Sequence, residues 1–257
     1  MSRLFVLAAS NMEAAPVATL MGVPRLKSST RLGPLEVGPN EVTLFVTGMG
    51  PKRAAESAAK TLANDTRPES SDQSRRQKPD AVIVIGLCGG LTDSLPETSI
   101  VTYSGCLSTV NGGIPCSCTP ELSAQITSLL NAQSVACKSV MGITSPRIAI
   151  TKDDKLRLAR AGAQVVDMES YEILSAARKA GIPATVVRVV SDSLDRELPD
   201  FNRALNPDGS VSSGKALRVM LGSPVMTASA YAANKRAVRY LASALKIVLS
   251  SDFPKFR

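Results

Sequence analysis

Residues 165–195 read VVDMESYEILSAARKAGIPATVVRVVSDSLD. Two acidic sites stand in this stretch, each just past an apolar run: Asp167-Met168-Glu169 and Ser191-Asp192. Residues 170–180 between them carry a helical pattern that ends at Gly181, with Pro183 beyond, the usual composition of a helix stop. The unit reads strand–helix–strand. In a parallel crossover of this kind both strand ends lie at one edge of the sheet, the edge where open α/β sheets bind ligands. Two carboxylates delivered there point to general acid chemistry on a small polar molecule.

The same alternation extends outward in both directions. Strand-like runs fall at 4–8, 42–47, 81–85, 100–103, 135–143 and 184–190. Helical patterns fall at 52–63, 120–132, 151–161 and 229–249, and the third opens on Thr151-Lys152-Asp153-Asp154, a capping-box pattern. Strands alternating with helices predict a three-layer αβα fold around a central mixed, largely parallel sheet, with residues 1–257 forming a single domain. Two segments interrupt the pattern. Residues 66–79, TRPESSDQSRRQKP, read as an exposed loop. Residues 195–213, with Pro199 and Pro207, follow the Ser191-Asp192 site directly and read equally well as a lid over it or as a plain surface loop.

Composition removes several function classes. At 44% hydrophobic and 20% charged over 257 residues the chain has the make-up of a soluble globular protein. No apolar run approaches the ~20 residues that span a bilayer. The short run at 4–9 has the look of a weak signal h-region, but Asn11 and Glu13 follow at once and a buried first strand accounts for it better. The five cysteines, an odd number, do not form a disulfide framework, and Cys116 and Cys118 stand too close for the usual zinc spacing. The chain has no histidine, which excludes a histidine-ligated metal and a histidine-based triad. A reducing, cytoplasmic compartment and no metal are the expectation. The net charge of +8 admits an anionic partner. Only Arg75, Arg76 and Lys78 cluster, however, and there is no Trp to stack bases, so nucleic acid is not an expected partner.

Two glycine-rich segments follow strand-like runs: Gly48-Met49-Gly50, and Gly86-Leu87-Cys88-Gly89-Gly90. Glycines at a strand end let backbone N–H groups approach a ligand, but neither segment has dinucleotide or Walker spacing, and each alone reads as a tight turn. Glu13, Glu169, Glu172 and Asp192, taken singly, read as acids or caps at helix N-termini.

Taken together the motifs say more. Val-Xaa-Met-Glu before an Ala-rich helix, then Gly-Ile-Pro, then a strand run with Arg, then Ser-Asp, resembles the nucleoside phosphorylase and nucleosidase superfamily, in its purine nucleoside phosphorylase-like branch. Within it the chain is most similar to methylthioadenosine/S-adenosylhomocysteine nucleosidases and to hopanoid-associated phosphorylase-like proteins. The resemblance runs in order through Glu13, residues 48–50, residues 86–90, residues 166–169 and Ser191-Asp192. It implies the phosphorylase/hydrolase-like fold and a purine nucleoside substrate. It implies that Asp192 protonates, or hydrogen-bonds to, the purine N7, and that Glu169 holds the ribose hydroxyls. It implies that Met168 packs on the ribose, that Glu13 activates water, and that Gly86, Leu87, Cys88 and Gly89 lie beneath the sugar or a phosphate. Ser191 and Ile148 complete the implied binding set, beside a homo-oligomer, a dimer first, whose subunits complete one another's sites.

Departures from the pattern decide between branches. Residues 11–20 contain no Arg or Lys, Ile85 precedes the glycine segment, and Leu87 occupies a place where Ser is typical of a phosphorylase. A phosphate dianion needs several charge-assisted donors to offset its desolvation. Their absence, with Glu13 present, favours water as nucleophile and so no cofactor; phosphate would be a co-substrate only for a phosphorylase. Ser145-Pro146-Arg147-Ile148 lacks the aromatic that commonly stacks on the base, leaving backbone groups, Ile148 or an Arg147 stack for recognition. Phosphorolysis, hydrolysis of an adenosyl lipid of a hopanoid pathway, and non-catalytic nucleoside binding remain the alternative readings.

Overall fold

The structure, a computed structural model, describes residues 1–23, 26, 31–64, 78–206 and 212–253. The loop expected at 66–79, with Arg75 and Arg76, lies outside the described residues except for its end, as do residues 207–211 of the segment after Asp192.

The chain begins with β1 (Ser2–Ala8), α1 (Asn11–Leu20), a hairpin of β2 (Arg31–Val37) and β3 (Asn40–Val46), and α2 (Pro51–Asn64). Then come β4 (Ala81–Gly90), β5 (Ile100–Ser108), the short β6 (Cys116–Ser117), α3 (Pro120–Ala132) and β7 (Cys137–Thr144). Next are α4 (Lys152–Ala159), β8 (Val165–Asp167), α5 (Ser170–Ala180) and β9 (Ala184–Asp192). A 3-10 turn (Phe201–Ala204) and the helices α6 (Ser213–Gly222) and α7 (Pro224–Leu249) finish the fold.

Alternating side chains of the strands feed two cores. Leu4, Val6 and Ala8 of β1 face one side with Ile83 and Ile85 of β4, and are covered by α1, α3 and α7. Phe5 and Leu7 face the other side with Val82 and Val84, and are covered by α2 and α5. A strand with period-two side chains, apolar on both faces, needs a helix layer on each side, and the three-layer αβα arrangement follows.

The sheet is mixed. It runs β2-β3-β1-β4-β8-β7-β5-β6, with β9 bridging β4 and β5. Because β4 pairs with both β8 and β9, β9 with β5, β5 with β7 and β7 with β8, these five strands close into a ring. One expectation is corrected here. β8 runs antiparallel to β4 while β9 runs parallel to it, so the unit at 165–192 is not a parallel crossover. The two acidic sites still meet, because Gly89, near the end of β4, pairs with Val166 on one side and Asp192 on the other. A second correction concerns residues 86–90. They form no turn but continue β4, and it is Gly48 (φ +87°) and Gly50 (φ +88°) that make the glycine turn, between β3 and α2.

Candidate active site

Four segments carry side chains into one cavity of about 260 Å³. The β1–α1 junction brings Ser10, Met12 and Glu13; the end of β4 brings Leu87, Cys88 and Gly89; the β8–α5 junction brings Met168 and Glu169; the end of β9 brings Ser191 and Asp192. Met49, Arg147, Ile148 and residues of the 198–201 segment and α7 close the rest. Every residue implied by the resemblance lines this cavity except Gly86, which lies behind it.

Glu13 is placed by its own helix. Ser10 caps α1 by accepting the Glu13 N–H (3.3 Å), and its hydroxyl donates to Glu13 Oε2 (2.8 Å). Glu13 Oε1 accepts the Leu87 N–H at 2.8 Å. The reason for Gly86 is then steric: a Cβ there would collide with Glu13 Oε1 and Arg188 Nη1. Glu169 stands at the head of α5, where its Oε1 accepts the Gly50 N–H at 2.9 Å. The glycine turn thus holds the carboxylate. Asp167 is structural: Oδ1 accepts from Thr144 Oγ1 (2.7 Å) and from the N–H groups of Glu169 (3.1 Å) and Ser170 (3.0 Å), and Oδ2 accepts from Tyr103 (3.0 Å).

One cation organises these acids. Arg188 of β9 is fully buried, with Glu13 Oε1 at 3.6 Å, Asp167 Oδ2 at 3.6 Å and Glu169 Oε2 at 3.4 Å. It donates to Leu87 O (3.0 Å) and Ser170 Oγ (3.1 Å). Burial opposes its charge, but Asp167, Glu169, Tyr103 and Glu13 together hold it above its ordinary value. Burial pushes the Glu169 carboxyl up to about 7; Arg188 acts against that shift, and Glu13 and Asp167 add to it. Cys88 also faces the cavity, but burial drives its thiol far above the ordinary value, which removes it as a nucleophile.

Asp192 has a different environment. Its Oδ1 accepts from Ser191 Oγ at 2.8 Å, and Oδ2 pairs with Lys155 Nζ at 2.7 Å. Lys155, on α4, is wholly buried and spends its other donors on Ser193 O (2.5 Å) and Arg196 O (3.0 Å). A Cβ at Gly89 would come within 2.9 Å of Asp192 Oδ2.

The segment after Asp192 does fold over the site: Leu198, Pro199 and Phe201 line the cavity. Phe201 supplies an aromatic that residues 145–148 lack. Its neighbour Asn202 pairs with both backbone groups of Ile148, Oδ1 accepting the N–H and Nδ2 donating to the carbonyl, each at 2.9 Å. The Ile148 backbone is therefore already paired in this state. Arg188 carries a readable signal, a lone charge inside TVVRVV; Lys155 carries none, since KDDKLRLAR reads as an exposed helix. Among the described residues no group of three or more Cys, Asp or Glu side chains is arranged to hold a metal ion.

Known structures share this architecture. A 5′-methylthioadenosine/S-adenosylhomocysteine nucleosidase of Helicobacter pylori with butyl-thio-DADMe-Immucillin-A superposes with a TM-score of 0.71 at 16% identity, over 96% of this chain and 98% of that one. The nucleosidase of Neisseria meningitidis with methylthio-immucillin-A gives 0.70 at 14% identity, over 97% and 99%. The futalosine hydrolase of H. pylori gives 0.70 at 15% identity, over 96% and 97%. No curated protein matches the sequence. A family model described as the phosphorylase superfamily matches residues 3–211. The chain belongs to the phosphorylase superfamily.

Proposed function

We propose that the chain hydrolyses the N-glycosidic bond of a purine nucleoside or a 5′-modified adenosine. The observation that carries this reading is the Glu13 carboxylate on the Leu87 N–H at 2.8 Å. A backbone donor suited to an anion already holds the protein's own. Glu13, Asp167 and Glu169 also surround the Arg188 guanidinium, so its charge is already answered and is not free for a phosphate dianion. Water carries no such penalty. The structural neighbours, nucleosidases and a hydrolase, support the same direction.

In this reading water attacks C1′ and passes a proton to Glu13. The C1′–N9 bond breaks with its electron pair going to the purine, and Asp192, which takes up a proton from solvent once the base is bound, passes it to N7 as that charge develops. Glu169 accepts from the ribose hydroxyls and helps stabilise the oxocarbenium-like sugar. The products are free base and a 5′-substituted ribose. Side chains provide the base and the acid, so no metal or cofactor is needed. Met168 packs on the sugar, Phe201 on the base or the 5′ group. The enzyme works as a homo-oligomer, a dimer first, in a reducing cytoplasm that keeps its five cysteines free.

The test is a panel of purine nucleosides, with and without phosphate, assayed for free base by chromatography. Phosphate-independent release is expected. Binding without any release would leave a nucleoside-binding protein on the same fold.

A further inference from the structure

The outer face of α6 and the start of α7 is apolar and uncovered among the described residues. Leu217, Met220 and Leu221 share one side of α6 at helical spacing, and Val225 is exposed in the first turn of α7. Leu221 is 72% exposed and Val225 80%. No residue of α6 is buried, so the apolar stripe serves no core.

The charged residues of the two helices have one sign, although Glu97 reaches Arg236 of α7 at 4.0 Å. Between Gly209 and Ser251 the sequence has Lys215, Arg218, Lys235, Arg236, Arg239 and Lys246, and no Asp or Glu. Lys215 and Arg218 are exposed on the rest of the α6 surface, Arg218 nearer the apolar side and Lys215 almost opposite it. An amphipathic helix with exposed Leu and Met on one side, Lys and Arg on the remaining surface and no acid of its own is suited to the headgroup boundary of a bilayer. The same charge disfavours a second copy. Two chains meeting through this face would bring two basic helices together, with no carboxylate on either helix to answer the other.

The face also adjoins the cavity. Ser212, at the head of α6, donates its N–H to Ala204 O of the 3-10 turn at 2.9 Å, and Phe201 of that turn lines the cavity. Ala230, Ala233 and Asn234 of α7 line it too.

We propose that α6 and the first turns of α7 form a peripheral docking surface for anionic lipid bilayers. The surface sets the cavity rim beside the membrane. This goes beyond the hydrolytic reading and does not depend on it, because the test needs no nucleoside.

The full chain is floated with vesicles of phosphatidylcholine alone and of phosphatidylcholine with phosphatidylglycerol. Binding to the anionic vesicles and little to the neutral ones is expected. A surface cation contributes about fivefold in affinity, so Lys215→Ala with Arg218→Ala should weaken binding about twentyfold or more. Leu221→Ser with Val225→Ser keeps the charge and should weaken it comparably. All four side chains are exposed, so unchanged melting curves confirm that both variants fold. Equal binding to both vesicles, binding to neither, or full binding by the Leu221/Val225 variant would overturn the proposal. So would sedimentation showing that the wild type self-associates through this face and that Leu221→Ser abolishes it.

Discussion

Lys155→Met is the sharpest structural perturbation available. The lysine is wholly buried and holds three acceptors: Asp192 Oδ2 at 2.7 Å, Ser193 O at 2.5 Å and Arg196 O at 3.0 Å. Methionine matches its stem as far as Cε and lacks the ammonium. The Asp192 carboxylate, 7% exposed as a residue, then loses its counter-charge, and two carbonyls lose a donor. Removing one partner of a buried pair costs about 3–5 kcal/mol because the other charge stays uncompensated. For a chain of this size each kcal/mol lowers Tm by about 2–4 °C, so a fall of roughly 6–20 °C is expected. Thermal unfolding followed by circular dichroism measures it. The double variant Lys155→Met/Asp192→Asn removes both charges and should recover a large part of the loss, with a coupling of about 1–3 kcal/mol in the double-mutant cycle. A Tm within ~2 °C of wild type for the single variant, or strict additivity in the cycle, would refute the account of this pair.

Other outcomes follow from the same geometry. Asp192→Asn should lower kcat by about 100-fold or more, and a near-normal rate would remove Asp192 as the acid. Glu169, raised by burial to about 7, must ionise to accept both ribose hydroxyls, so KM should climb by about tenfold per unit as pH falls below that value; a KM flat from pH 5 to 8 would contradict the clamp. The same group binds its proton more tightly in the folded state than unfolded. Stability should therefore fall as pH rises from 4.5 to about 7, and Glu169→Gln should flatten that slope in pH-dependent melting. Asn202→Ala frees the Ile148 N–H and carbonyl, and should tighten the Kd of a 6-aminopurine nucleoside in calorimetry; weaker binding would show that the 3-10 turn stays shut over the site.

The sequence reads well where local chemistry decides the outcome. The stop after α5 is legible because Gly181 must take a left-handed conformation (φ +64°). The start of α4 is legible because Thr151 and Asp154 satisfy each other's backbone N–H groups. Strand direction is another matter. Val165–Asp167 pairs antiparallel to β4 through ladder bonds that no local pattern encodes, so the parallel crossover is the natural but incorrect reading. The Gly86–Gly90 segment misleads for a related reason. Its glycines mark close approach by Glu13, Arg188 and Asp192 across a strand, and glycine composition alone does not separate that from a turn. The acids of the site are legible from their family pattern, whereas their partners are not. Lys155 lies 37 residues from Asp192 in the chain, and Phe201 reaches the cavity only because the segment after β9 folds back. Tertiary closure, not spacing, brings them there.

The central claim is that Glu13 stands where a phosphate would need to bind, so that water is the nucleophile. Identifying the sugar product formed from a purine nucleoside in phosphate buffer, by phosphorus NMR and mass spectrometry, tests it most directly. The account predicts free 5′-substituted ribose at every phosphate concentration. Accumulation of a ribose 1-phosphate would contradict it.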